Sequence, residues 1–252
     1  SAEQSRLSAA ARAALELNLL TEDNLPSYHR ELEHTFGHKG AWAAWVNRWT
    51  AEEARHASCI RDYLMVTRGV DPEALEHARM ATMQTGFDSG DKPLLNVCAY
   101  VSFQELATRI SHRNTGHYSG DPIAARLLTR IAMDENLHMV FYRNLITAAL
   151  QIAPDQTVRA IAEEVTGFAM PGSVVPGFGR MAAQIAQAGI YDLRIHHDDV
   201  VTPLLRHWRV FELEGLGSEG EQAREDLAAA LGTLDAQATR SAERRAAASS
   251  RR

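Results

Sequence analysis

The chain has 252 residues, 45% hydrophobic and 23% charged, with a formal net charge of −6. These are the proportions of an average globular protein and argue against a disordered, collagen-like or low-complexity chain. Two cysteines, Cys59 and Cys98, with no CxxC pair argue against a disulfide framework or a thiolate zinc site, and no apolar run approaches the roughly 20 residues that span a bilayer. Ser1 to Arg12 is polar and lacks a hydrophobic signal core, so a soluble, cytoplasmic protein is expected, not an integral membrane one.

Helix formers dominate and β-branched alternation is scarce. The breakers predict a first helix over Ser5–Phe36, irregular at Pro26 and ended by Gly37 and Gly40. A second runs over Ala41–Arg68, stopped by Gly69 and Asp71-Pro72, and a shorter one over Pro72–Gln84 precedes a Gly/Asp-rich loop. Leu94–Arg113 follows, closed by Asn114 and Gly116. Asp121-Pro122 then supplies an N-cap and a first-turn proline for a helix to about Ile152. Beyond Pro154 come shorter helical stretches around a loop at Met170–Gly179. The expectation is an all-α protein, a single helical domain over 1–238 with a four-helix core at about 5–152 and a C-terminal elaboration over 153–238. From 239 to 252 five arginines and one glutamate give +4, leaving −10 for the body; this reads as a frayed, solubilising helix end, and no nucleic-acid partner is expected.

Certain acids and histidines recur on these helices. Glu53 and His56 stand at i, i+3 on the second long helix, and Glu135 and His138 repeat that spacing on the fourth. Glu22 precedes Glu53 by 31 residues and Glu105 precedes Glu135 by 30, so two helix pairs each offer one Glu and one Glu-x-x-His. This is the ligand set of ferritin-like di-iron and di-manganese carboxylate bundles. With 19 glutamates and 11 histidines, 19 × 11/252 gives roughly one Glu-x-x-His by chance, and a third does occur, Glu31/His34. It lies nine residues beyond Glu22, about 900° at 100° per residue, half a turn off that face, and reads as a solvated surface pair. Four carboxylates cancel the charge of two ferrous ions with hard oxygen ligands, and two imidazoles complete the shell. Buried together without a metal, the four acids would lose hydration and repel one another.

The residues resemble the soluble acyl-acyl carrier protein desaturases of the ferritin-like superfamily, most closely the actinobacterial type. Thr21-Glu22-Asp23-Asn24-Leu25-Pro26-Ser27-Tyr28 looks like the family's first-ligand helix, and Trp49-Thr50-Ala51-Glu52-Glu53-Ala54-Arg55-His56 its second. Ser102-Phe103-Gln104-Glu105 with Ala107-Thr108, Ile110-Ser111-His112 and Asn114-Thr115 is similar to the third, and Asp134-Glu135-Asn136-Leu137-His138 to the fourth. Weaker similarity continues through Met170-Pro171, Gly189-Ile190-Tyr191, Trp208, Gly215-Leu216 and Glu219-Gly220. Carried over by position, the resemblance makes Glu22, Glu53, His56, Glu105, Glu135 and His138 the ligands of two iron ions (Fe2+), the set that helix spacing also gave. It places Thr108 near the dioxygen site, Trp49 beside the metals and Asp134 behind a ligand imidazole. The family's Asn and Gly around the second-helix histidine are Ala54 and Ala57 here, and a basic residue common before the last ligand histidine is Leu137. Family members usually carry a further N-terminal segment; 21 residues precede Glu22 in this chain.

The resemblance implies O2-dependent desaturation of a fatty acyl chain on acyl carrier protein, with electrons from a ferredoxin-like donor, by a homodimer. Arg109, His112 and Arg113 form a basic cluster beyond Glu105 that reads first as a solvated helix end and second as a docking patch for that acidic carrier. The alternatives are a di-iron oxygenase that inserts oxygen into a carrier-bound or free substrate, a ferritin-like iron-binding or storage protein, and a non-catalytic homologue.

Overall fold

The computed structural model describes residues 5–88 and 90–249. Among them all regular structure is helical, as expected: α1 (Ala9–Glu22), α2 (Leu25–Phe36), α3 (Gly40–Val66), α4 (Pro72–Thr85), α5 (Leu94–Tyr118), α6 (Pro122–Ile152), α7 (Pro154–Thr166), α8 (Phe178–Gln187), α9 (Leu193–Ile195), α10 (Thr202–Trp208) and α11 (Ser218–Ser249), with a π-helical turn at His196–Val201. None of these helices is long and apolar enough to cross a membrane.

The expected first helix is two. Pro26 has no N–H to give to a carbonyl four residues back and its ring crowds that turn, so α1 stops at Glu22 and α2 restarts at Leu25 with the proline in its first turn. Across this break the Thr21 carbonyl accepts both the Tyr28 hydroxyl at 3.0 Å and the Asn24 N–H at 3.3 Å. The third long helix, in contrast, runs past its expected stop at Gly116 to Tyr118. A Cβ at Gly116 would lie 3.2 Å from the Ala125 Cα and 3.3 Å from the Leu128 Cβ, so this glycine serves close approach of two helices, not termination. The turn is made instead at Gly120, in the left-handed region with φ 67°. Asp121 then caps α6 as expected, its Oδ1 accepting the Ile123 N–H at 2.7 Å.

The chain forms two compact units. The first comprises residues 1–92, 111–134 and 169–190, and its core packs Leu15 and Leu19 of α1 with Ile60, Leu64, Leu75, Leu128 and Ile131. The second comprises residues 93–110, 135–168 and 191–252. There Phe103 meets the Trp208 ring edge-on, centroids 5.6 Å apart, and the Trp208 indole donates to the Arg143 carbonyl at 3.0 Å. α7 packs along α11. Asp155 Oδ1 accepts the Gly217 N–H at 2.9 Å, just before α11 begins.

The stretch from 239 that reads as a frayed tail is helical as far as Ser249. Two arginines tie this helix down: Arg245 pairs with Asp192, and Arg194 donates to Asp235 and, at 2.7 Å, to the Thr239 hydroxyl. Arg251 and Arg252 lie outside the described residues.

Candidate metal centre

Each residue of the carboxylate and histidine set is buried: Glu22 on α1, Glu53 and His56 on α3, Glu105 on α5, and Glu135 and His138 on α6. The i, i+3 spacing puts each Glu and its His on one face of its helix, so burying that face buries both.

In the first unit, His56 Nδ1 lies 3.8 Å from Glu22 Oε2 and 3.6 Å from Glu53 Oε2. Its other ring nitrogen, Nε2, is 3.4 Å from Asp134 Oδ2. An Nε2–H given to the aspartate would leave the Nδ1 lone pair facing the two glutamates, as a metal ligand needs. Asp134, itself buried, also meets Arg130 at 3.3 Å and Arg55 at 3.6 Å, two arginines whose side chains reach the surface. Trp49 is buried on α3, one turn before Glu53.

In the second unit, His138 Nδ1 lies 3.4 Å from Glu105 Oε2. The Thr108 hydroxyl is 2.9 Å from Glu135 Oε2, with the Glu105 and Gln104 carbonyls at 3.1 and 3.2 Å. It thus has a carboxylate to donate to as well as the backbone of its own helix. Burial, and after it the charge of Glu135, holds the Glu105 carboxyl well above the usual carboxylate range, with His138 acting in the opposite direction.

The donor atoms form two groups. Glu22, Glu53, His56 and Glu135 each offer one atom within 4.8 Å of the others, and so do Glu53, Glu105, Glu135 and His138. Glu53 and Glu135 are common to both. The chemistry of this donor set fits a pair of divalent ions: four carboxylates balance four positive charges, and oxygen and imidazole suit iron.

His34 is exposed, the Glu31 side chain lies 3.2 Å from Arg30, and neither belongs to these groups. The basic cluster beyond Glu105 is corrected in one member. Arg113 is exposed and Arg109 half-buried, but His112 is 1% exposed and points inward, its Nε2 2.9 Å from Glu22 Oε1. The signal was in the spacing. His112 follows Glu105 by seven residues, about 700°, which returns it to within about 20° of that residue's face. Its polar partner Asn18 stands four residues before Glu22.

Comparison with known proteins bears on this arrangement. The sequence profile of a family described as "Fatty acid desaturase" matches residues 1–252. The chain is 49% identical over 241 residues to DesA1 of Mycobacterium tuberculosis (strain H37Rv), whose name gives acyl-[acyl-carrier-protein] desaturase as a provisional assignment; the match covers 92% of this chain and 71% of DesA1. It is 33% identical over 226 residues to stearoyl-[acyl-carrier-protein] 9-desaturase 6 of Arabidopsis thaliana, a chloroplast protein, covering 82% of this chain and 58% of that one. Among solved structures, the X-ray structure of DesA2 from M. tuberculosis H37Rv superposes with a TM-score of 0.69 at 29% identity, covering 88% of this chain and 79% of the other.

Proposed function

The chain belongs to the acyl-acyl carrier protein desaturase family, and from that premise we propose that it removes two hydrogens from adjacent methylenes of a fatty acyl chain carried as a thioester on acyl carrier protein. The observation that carries the reading is the pair of buried donor groups that share Glu53 and Glu135. Glu22, Glu53, His56, Glu105, Glu135 and His138 would hold two ferrous ions, with His56 and His138 presenting Nδ1. That centre would supply activation of dioxygen, the co-substrate. Each turnover would take two electrons and two protons from the two C–H bonds, two electrons from a ferredoxin-like donor and two protons from solvent, and dioxygen would leave as two waters.

This chain's own side chains orient the parts. Asp134 holds the His56 ring through Nε2 and so fixes which nitrogen faces the glutamates. The Thr108 hydroxyl, donating to Glu135 Oε2, holds a proton at the carboxylate that both donor groups use. Trp49, buried one turn before Glu53, packs the helix that carries that ligand. The same reading takes residues 1–238 as one functional domain and the working form as a cytoplasmic homodimer.

The test is anaerobic ferrous titration of the purified protein beside a Glu53→Ala, His138→Ala variant, followed by incubation with acyl-acyl carrier proteins, dioxygen and reduced ferredoxin. Two irons per chain, lost in the variant, and an acyl product lighter by two hydrogens are expected. A product heavier by one oxygen would make the protein an oxygenase. Many irons per chain would make it a storage protein. Two irons with no product from any acyl carrier substrate would leave a non-catalytic homologue.

A further inference from the structure

Ahead of the metal-facing atoms of Glu22 stands a row of polar side chains that the proposed reaction does not call on. Asn18 and Glu22 stand at i, i+4 on α1, one above the other. Ser111 and His112 come from α5. The Ser111 hydroxyl is 3.1 Å from Asn18 Oδ1, the Asn18 amide nitrogen is 3.3 Å from His112 Nδ1, and His112 Nε2 is 2.9 Å from Glu22 Oε1.

We propose that His112 is a positioning residue for Glu22, locked by Asn18 and Ser111 into the tautomer that donates to Glu22 Oε1. The inference rests on the di-iron reading above. Its logic is donor and acceptor counting. An amide nitrogen donates and never accepts, so His112 Nδ1, facing Asn18 Nδ2, must be the accepting nitrogen. In that orientation the Ser111 hydroxyl donates to the amide oxygen. The ring proton of a neutral imidazole is then on Nε2, where the acceptor is Glu22 Oε1. This engages one carboxylate oxygen, while the other, Oε2, is the one turned to His56 Nδ1.

The energetic point is rotational. A free Glu side chain loses rotamer entropy when it is fixed at a metal. His112 removes part of that loss in advance. Glu22 belongs to only one of the two donor groups. The device therefore acts on one metal position and not on its neighbour.

Two measurements test this. Long-range proton–nitrogen NMR of the metal-free protein reads the His112 tautomer directly. An Nε2–H ring is expected, with both tautomers populated in Asn18→Leu; an Nδ1–H ring in the unaltered protein would overturn the proposal. Anaerobic ferrous titration of His112→Leu should become biphasic, one equivalent binding as before and the other about 10- to 100-fold more weakly. Asn18→Leu, which removes only the lock behind His112, should show the same split to a smaller degree and keeps the test open if His112→Leu fails to fold. Unchanged affinity, or equal weakening of both equivalents, would refute the positioning role. A failure of the unaltered protein to bind two irons would instead overturn the di-iron reading, and the NMR result would still decide the tautomer.

Discussion

His196 gives a pH dependence whose sign and size follow from its surroundings. It opens the π-helical turn at His196–Val201, is buried, stacks on Phe168 with centroids 4.6 Å apart, and has Nδ1 2.9 Å from the Tyr191 hydroxyl. Burial, and after it the nearby His197, pushes its pKa down to about 4 from 6.5. Between those two values the unfolded chain binds a proton at this site and the folded chain does not. Stability therefore falls as the pH drops below 6.5, and the loss is complete below about 4. At 1.36 kcal/mol per pKa unit, this group alone should take away about 2 kcal/mol between pH 7.5 and pH 5 and about 3 kcal/mol in full. The perturbation that isolates it is His196→Gln, which keeps an acceptor for Tyr191 and cannot be protonated. Urea unfolding followed by circular dichroism at pH 7.5, 6, 5 and 4.5 gives the curves to subtract. The unaltered protein should lose about 2 kcal/mol more than the variant over the first three points. Parallel curves would show that the buried ring is protonated without penalty, and the argument from its burial would fail.

Two further outcomes follow from contacts elsewhere. A Cβ at Gly220 would stand 2.9 Å from the Asp155 Cγ and 3.2 Å from its Cα, so Gly220→Ala should destabilise by about 1–3 kcal/mol despite alanine's better helix propensity, and the cost should shrink in an Asp155→Ala background; additive effects in a denaturation double-mutant cycle would show that the two sites do not meet. Thr108→Val keeps the side-chain shape but removes the donor to Glu135 Oε2, so two irons should still bind while turnover falls about 10-fold or more, measured as acyl product per chain; unchanged turnover would reduce Thr108 to a helix residue bonded to its own backbone.

What could be seen in the sequence was what helical periodicity encodes. Glu53/His56 and Glu135/His138 share faces because three residues make nearly one turn, whereas the similar 31- and 30-residue offsets to Glu22 and Glu105 span different elements, α2 lying in the first interval and no whole helix in the second. The structure buries those six residues and sorts them into two groups. Two things did not show, and they share a cause: each depends on what an approaching element brings. Gly116 looks like a stop until Ala125 and Leu128 fill the space a side chain would need. Arg245 looks solvated until Asp192 stands opposite it.

His112 is the instructive case, because both readings of it were available from the same residues. Between Arg109 and Arg113, a histidine takes its character from its neighbours in sequence and reads as one more cation at a helix end. Counted from Glu105, the same residue falls two turns along the inward face. The two criteria disagree, and on a long helix position on the face must prevail. Charge on the flanking residues follows from their own exposure, whereas the facing direction of residue 112 is set by the helix itself. By the same rule Ser111 falls beside it toward α1, where Asn18 waits one turn from Glu22. A polar residue seven places from a buried ligand candidate is therefore better assigned by angle than by composition. Had that rule been applied to the stretch 105–115, the Asn18–His112–Glu22 row would have been legible from one helix and the i, i+4 pair on another.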